Sequence, residues 1–323
     1  MPDHDISSYD LLIIGAGPAG LACAIAASKA GLRHCIIDQG AVADAIRRFP
    51  TDLVFFSTPE LLEIGGVPFV TAGFRPTRVE AVRYYQRVAR EYRLQIIPHK
   101  RVTTIERGES YFRVVTEKQV FRAENVVVAT GYFDNPNPFS IPGSDLLKVK
   151  RYYDEPFQYV GQRVAVVGGK NSAVETALDL YRHGATVTLV HRGASFSEGV
   201  KYWILPDIEN RAKSGEVRAL FGTQVREIRD RSIVVEGSVN EEIPNDFVFV
   251  MIGYRPEVDL LKRAGVALES DSLAPVHNSE SMETSVPGLF IAGSLAAGKY
   301  NNKIFIENGR LHGRLIVNAI QRK

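Results

Sequence analysis

The sequence predicts an α/β protein with two Rossmann-like dinucleotide-binding domains, and three observations carry that prediction. A continuous apolar run, Leu11-Leu12-Ile13-Ile14, leads straight into Gly15-Ala16-Gly17-Pro18-Ala19-Gly20 and an alanine-rich stretch. The same order returns about 150 residues later, where Val164-Ala165-Val166-Val167 runs into Gly168-Gly169-Lys170-Asn171-Ser172-Ala173. Each unit is followed by a second apolar run that ends in a charge: Asp38 in the first, Arg192 in the second.

Runs that are apolar at every position suit strands buried on both faces of a parallel sheet. In the first unit, Gly15 permits the tight turn and Gly17 lets a pyrophosphate approach the backbone. Gly20 lets the helix lie close to the strand. That helix, expected from Leu21 to about Lys29, offers phosphates free N–H groups and a positive dipole end around Pro18 and Ala19. His34-Cys35-Ile36-Ile37 then ends in Asp38, eighteen residues past Gly20, where an acid hydrogen-bonds a ribose diol; Gln39 follows. Three glycines alone say little, but strand, turn, helix, strand and terminal acid within one ~30-residue unit specify a dinucleotide site.

Bulk properties narrow the class. At 323 residues the chain holds about two domains, and its hydrophobic (45%) and charged (24%) fractions are those of an ordinary globular protein. A net charge of +2, without a long basic run, gives no reason to expect nucleic acid as a partner. Two cysteines, Cys23 and Cys35, make neither a disulfide framework nor a metal site, and seven scattered histidines lack ligand spacing, so no metal is expected. Leu11 to Ala27 is apolar, yet its glycines, Pro18, short length and acidic leading residues argue against a membrane span or signal sequence. A cytoplasmic protein without membrane contact is expected.

After Asp38 the chain becomes irregular and aromatic. Phe49-Pro50-Thr51, Phe55-Phe56-Ser57-Thr58-Pro59 and Ile64-Gly65-Gly66-Val67-Pro68-Phe69 mix apolar faces with hydroxyls, as a flat heteroaromatic ring requires. Arg78 to Tyr92 has a helical apolar face. Leu94 to Pro98 restarts the sheet, and three short alternating runs, 102–106, 111–116 and 119–122, read as an antiparallel meander opened by Val102. A further buried strand, 124–131, ends in Ala129-Thr130-Gly131. Pro136, Pro138 and Pro142-Gly143 mark a linker. The domains are therefore expected at 1–135 with 256–323, and at 136–255 inserted between.

In the second unit a helix from Ser172 to His183 leads to the strand 186–190, which ends in His191-Arg192. An arginine here pairs with a ribose 2′-phosphate that an aspartate would repel, which favours NADPH over NADH. Lys201 is a candidate second cation. Lys170 stands where the middle glycine is usual, crowding the pyrophosphate or serving it as a ligand. Phe247 to Met251 forms a buried strand whose end, Ile252-Gly253, completes the expected nucleotide contacts. Leu289 to Ile291 forms another, ending in Gly293-Ser294. A final helix, about Lys303 to Gln321, is expected to aim N–H groups at a flavin's N1/C2 carbonyl around Lys303 and Ile304. Only Arg322 and Lys323 follow it, so no tail is expected to cover a cofactor.

On these motifs the chain resembles the low-molecular-weight thioredoxin reductase-like flavoproteins over nearly its full length. Within them it is most similar to the bacillithiol disulfide reductases, through Phe55-Phe56-Ser57-Thr58, the 64–69 stretch, Lys201-Tyr202-Trp203-Ile204 and 303–310. The resemblance implies FAD in the first site, NADPH in the second and a homodimer or homotetramer. It also places Ala129-Thr130-Gly131 near the flavin dinucleotide. Three departures stand out: no Cys-x-x-Cys, Ala19 where this group often carries cysteine, and Gly293-Ser294 for the usual Gly-Asp. Serine can still hydrogen-bond a ribityl hydroxyl. Cys23 and Cys35 fall within a helix and a strand, where cysteine is a small apolar filler. Disulfide reduction is thus expected without an enzyme thiol. Three alternatives stay open: a ferredoxin– or flavodoxin–NADP⁺ reductase, a general NADPH:acceptor reductase, and a non-enzymatic flavin redox sensor.

Overall fold

The computed structural model describes residues 8–300 and 303–322. The chain divides into two compact units, one running up to Asn135 and resuming at Arg255, the other Pro136–Tyr254.

The first unit opens with β1 (Ser8–Ile14), α1 (Pro18–Lys29) and β2 (His34–Ile37). Leu11, Leu12 and Ile13 are fully buried, as a strand flanked on both edges and both faces must be. The short helices α2 (Asp44–Arg47) and α3 (Pro59–Leu62) precede α4 (Arg78–Glu91). α4 starts on a capping box: Thr77 Oγ1 accepts the Glu80 N–H at 3.3 Å while Glu80 Oε2 accepts the Thr77 N–H at 2.8 Å. β3 (Ile96–Ile97), β4 (Val102–Arg107), β5 (Phe112–Thr116) and β6 (Val120–Val128) follow.

β6 corrects the sequence reading. The third meander strand and the buried strand leading to Ala129-Thr130-Gly131 are one continuous strand. Its first half pairs antiparallel with β5. Most of its length runs parallel to β1, with Ile14 opposite Val128. The polar residues Glu124 and Asn125, expected to open a new strand, lie in mid-strand, and Asn125 Nδ2 donates to the Asp10 carbonyl at 3.2 Å.

In the second unit, β7 (Val149–Lys150), β8 (Arg163–Val167), α5 (Asn171–Arg182), β9 (Thr186–Val190) and α6 (Leu205–Lys213) come first. β10 (Arg218–Leu220), β11 (Thr223–Arg229), β12 (Ser232–Gly237), β13 (Glu241–Pro244) and β14 (Phe247–Val250) complete it. Its parallel sheet has the order β10-β9-β8-β14-β7, and β11-β12-β13 form a separate antiparallel sheet. This is the plan of the first unit with one break. Pro244 lacks an N–H to continue a ladder, so β13 stops there and β14 begins three residues later.

The chain returns to the first unit through α7 (Asp259–Arg263), β15 (Leu289–Ile291), α8 (Ile306–Gly309) and α9 (His312–Gln321). Its sheet order is β3-β2-β1-β6-β5-β4, and β15 pairs parallel with β6 at Val126–Val128. α9 packs on α1 at Gly313, where an added Cβ would lie 2.7 Å from the Ala22 carbonyl oxygen. Each unit thus has a parallel sheet whose central strand, β1 or β8, runs into a glycine-rich turn and a helix, the arrangement of two Rossmann-like domains.

Candidate functional site

The first cradle lies at the end of β1. Gly15 has φ +114°, and a Cβ there would sit 2.4 Å from the Ala129 carbonyl oxygen. A Cβ at Gly20 would sit 1.9 Å from the Gly15 carbonyl oxygen, which is what close helix–strand packing demands. At Gly17, by contrast, the Cβ direction is open, with nothing within 4 Å. α1 has no side-chain cap and carries Pro18 in its first turn; Leu21 N–H makes the first intrahelical bond, to Gly17 O at 2.9 Å. The N–H groups of Ala19 and Gly20 therefore have no intrahelical acceptor. Packed glycines at either end, open space in the middle and unspent donors are what a dinucleotide pyrophosphate fits.

Asp38 closes this turn. Its Oδ2 accepts the Ala16 N–H at 2.5 Å and its Oδ1 the Gly40 N–H at 2.6 Å, leaving lone pairs for a hydroxyl on each oxygen. Burial raises its pKa above the ordinary carboxylate value; the two N–H donors oppose that, and Asp134 and Asp44 add to it. Gln39 donates to Asp134 at 2.8 Å, and Arg48 binds the same carboxylate.

The other expected flavin contacts divide. Thr51 lies in an exposed turn, and Val102 is buried at the head of β4. Phe56 is half exposed and meets Phe305 edge-on at 5.8 Å. Ser57 is buried and its hydroxyl donates to Glu307. The turns at Thr130-Gly131 and Gly293-Ser294 do come together: Ser294 Oγ lies 3.7 Å from where a Gly131 Cβ would stand. Gly293 has φ +70°, and a Cβ on it would come within 2.9 Å of the Ala19 methyl.

Lys303 and Ile304 differ from expectation, because the final helix does not begin there. α8 starts at Ile306 and has four residues; α9 starts only at His312. The cause is Asn308, whose Oδ1 accepts the Phe305 N–H at 2.8 Å and whose Nδ2 donates to the Lys303 carbonyl at 2.9 Å. These bonds replace the first turn of helix by a side-chain loop. Sequence reasoning also missed His312, whose Nδ1 accepts the Gly293 N–H at 3.2 Å. Burial, with His277 nearby, pushes its pKa down to about 4. A lone histidine at a helix start gave no signal.

Both thiols are fully buried, Cys23 in α1 and Cys35 in β2. Burial pushes Cys23 up to about 12 and Cys35 up to about 11. Both shifts disfavour the thiolate that nucleophilic attack requires.

In the second unit Gly168 has φ +142°, and a Cβ there would lie 2.4 Å from the Met251 carbonyl oxygen. Ala173 replaces the third glycine and is buried, while Lys170 and Ser172 are exposed. The His191 ring covers Gly169, where a Cβ would meet ring atoms at 2.5 Å, and burial followed by the Arg192 charge lowers its pKa. Asn137 fixes the strand end, donating through Nδ2 to Ile252 O and through N–H to Gly253 O, both at 3.0 Å. Arg192 is exposed and makes no hydrogen bond or ion pair among the described residues. Lys201 is not a free cation: its Nζ is bound to Glu175 Oε1 at 2.6 Å.

Among the described residues no cluster of three or more His, Cys, Asp or Glu is arranged to hold a metal ion, and no helix is long and apolar enough to cross a membrane. Residues 12–293 match the family described as pyridine nucleotide-disulphide oxidoreductase. The chain belongs to that family. As a pyridine nucleotide-disulphide oxidoreductase it is an enzyme of a flavin-dependent class. It is 40% identical over 315 residues to bacilliredoxin reductase Bdr of Bacillus subtilis (strain 168), covering 97% of each chain. The solved structure of bacillithiol disulfide reductase Bdr (YpdA) from Bacillus cereus superposes with a TM-score of 0.95 at 40% identity, over 98% of this chain and 100% of that one. Thioredoxin reductase of T. acidophilum shares the fold at 20% identity, with a TM-score of 0.77 over 98% of each chain.

Proposed function

We propose that this oxidoreductase holds FAD in the first cradle, draws on NADPH at the second, and reduces a low-molecular-weight thiol disulfide of the bacillithiol type. The net reaction consumes one NADPH, one proton and one disulfide and yields NADP⁺ and two thiols. The observation that carries this reading is the contrast between the cradles. The first ends in a carboxylate fixed by two backbone N–H groups, suited to a ribose diol; the second ends in an exposed arginine with no partner, suited to a 2′-phosphate. The names of the similar reductases supply the substrate class.

Bound flavin supplies two-electron acceptance and onward transfer to sulfur. This chain's residues supply the rest. Ala19 and Gly20 N–H groups bind the pyrophosphate, Asp38 the ribose, and Ser294 with the Gly131 turn the ribityl chain. With both thiols buried and protonated, the disulfide is reduced without a mixed disulfide to the enzyme. A homodimer or homotetramer is part of the proposal.

The test is NADPH oxidation by purified, yellow protein with bacillithiol disulfide against oxidised ferredoxin. Turnover with the disulfide is expected, and turnover with ferredoxin alone overturns the substrate. A flavin that NADPH fails to bleach under anaerobic conditions overturns the enzyme reading and favours a sensor.

A further inference from the structure

The loop after β9 is strapped across the second glycine-rich turn. Ser197 N–H donates to Gly169 O at 3.0 Å. Asn171, the first residue of α5, holds the loop at two points: its Nδ2 donates to Gly199 O at 3.0 Å and its Oδ1 accepts the Lys201 N–H at 2.8 Å. These bonds put the Lys201 backbone beside the helix start. One turn further along α5, Glu175 takes the Lys201 ammonium at 2.6 Å, and the Trp203 ring lies 5.7 Å from the same nitrogen. Besides Lys170 in the turn itself, the cradle therefore carries two cations in different states: Arg192 is unpaired, and Lys201 is neutralised by a carboxylate of α5.

We infer that Glu175 is a specificity-determining residue: it holds Lys201 in reserve and sets how strongly this cradle selects a 2′-phosphorylated nucleotide. The inference rests on the NADPH reading above. A dianionic 2′-phosphate next to Arg192 competes with Glu175 for Lys201, and the displaced carboxylate then stands close to the new anion. Both effects oppose binding of the phosphate and neither touches a nucleotide that lacks it. The Lys201 and Glu175 side chains are 30% and 44% exposed, so the effect is modest and falls with salt.

The experiment uses the whole protein and two probes that bind without the flavin, adenosine 2′,5′-bisphosphate and 5′-AMP, titrated by calorimetry. Glu175→Gln is close to isosteric and exposed. It is expected to tighten the bisphosphate about two- to five-fold at low salt, the range of an exposed ion pair, and to leave 5′-AMP unchanged. The gain should vanish in 0.5 M salt and shrink in the Lys201→Ala background, where no ammonium remains to release and only the repulsion by the carboxylate is relieved. Unchanged or weaker bisphosphate binding, an equal gain for 5′-AMP, or a full gain without Lys201 overturns the role of Glu175. Arg192→Ala separates this from the parent reading. If the wild type binds both probes equally and Arg192→Ala alters neither, the 2′-phosphate site is gone and Glu175 with it. A selective loss in Arg192→Ala beside a silent Glu175→Gln removes Glu175 alone.

Discussion

The Gly293 N–H points at Nδ1 of His312 across 3.2 Å, so an imidazole at the head of α9 holds the turn at the end of β15. An imidazole that accepts there is neutral and carries its proton on Nε2. Burial, then His277, lowers its pKa from 6.5 to about 4. A depressed pKa stabilises the fold in full above 6.5, and the contribution is lost as pH falls towards 4. The loss is about 1.4 kcal/mol per pH unit across that window. Melting temperature against pH should decline between 6.5 and 4 and flatten in His312→Gln, which keeps an acceptor but cannot titrate. An equally steep decline in the variant would clear His312 of the effect.

The glycines of the first turn should separate folding from binding. Gly17→Ala meets open space, so it should change stability by less than about 0.5 kcal/mol while weakening flavin retention. Gly20→Ala would set a methyl 1.9 Å from the Gly15 carbonyl oxygen and should yield little folded protein. The ratio of flavin to protein absorbance, read beside a thermal melt, checks both. A Gly17→Ala variant that keeps its flavin at wild-type affinity would contradict the pyrophosphate assignment.

Arg192→Ala should raise KM for NADPH about ten-fold or more, since charge-assisted phosphate bonds contribute ~1.5–3 kcal/mol. KM for NADH should hardly move. Equal losses with both nucleotides would make the residue structural.

Cys23→Ala and Cys35→Ala should both turn over bacillithiol disulfide at wild-type rates. Each should cost about 1 kcal/mol of stability through the small void left in the core. A variant that keeps flavin but loses turnover would put a thiol in the reaction.

Legibility in the sequence tracked how local each feature is. β1, its glycines, α1 and Asp38 follow one another within a single unit, and the bonds that shape the turn, Asp38 to the Ala16 and Gly40 N–H groups, close inside it, although β6 and α9 complete the packing. β6 was less legible because Glu124 and Asn125 are polar, and only β1 and the Asp10 carbonyl give them a place inside a sheet. The start of the last helix depends on a bifunctional asparagine, Asn308, whose two bonds no periodicity records. Ser57 and Lys201 stand out in the sequence, but their partners Glu307 and Glu175 are distant from them in the chain and no local pattern announces either pairing. The antiparallel sheet of residues 223–244 carries no distinctive motif in the sequence.

β6 also constrains the order in which the molecule is assembled. Its last three residues stay uncovered on the side away from β1 until Leu289–Ile291 arrives, long after they leave the ribosome. The inserted unit is contiguous from Pro136 to Tyr254 and closes its sheets with its own strands, so it is complete while its host still waits for a strand. A nascent chain stalled before residue 289 would thus hold a finished guest inside an unfinished host, with a bare row of valines as the adhesive edge a chaperone must shield.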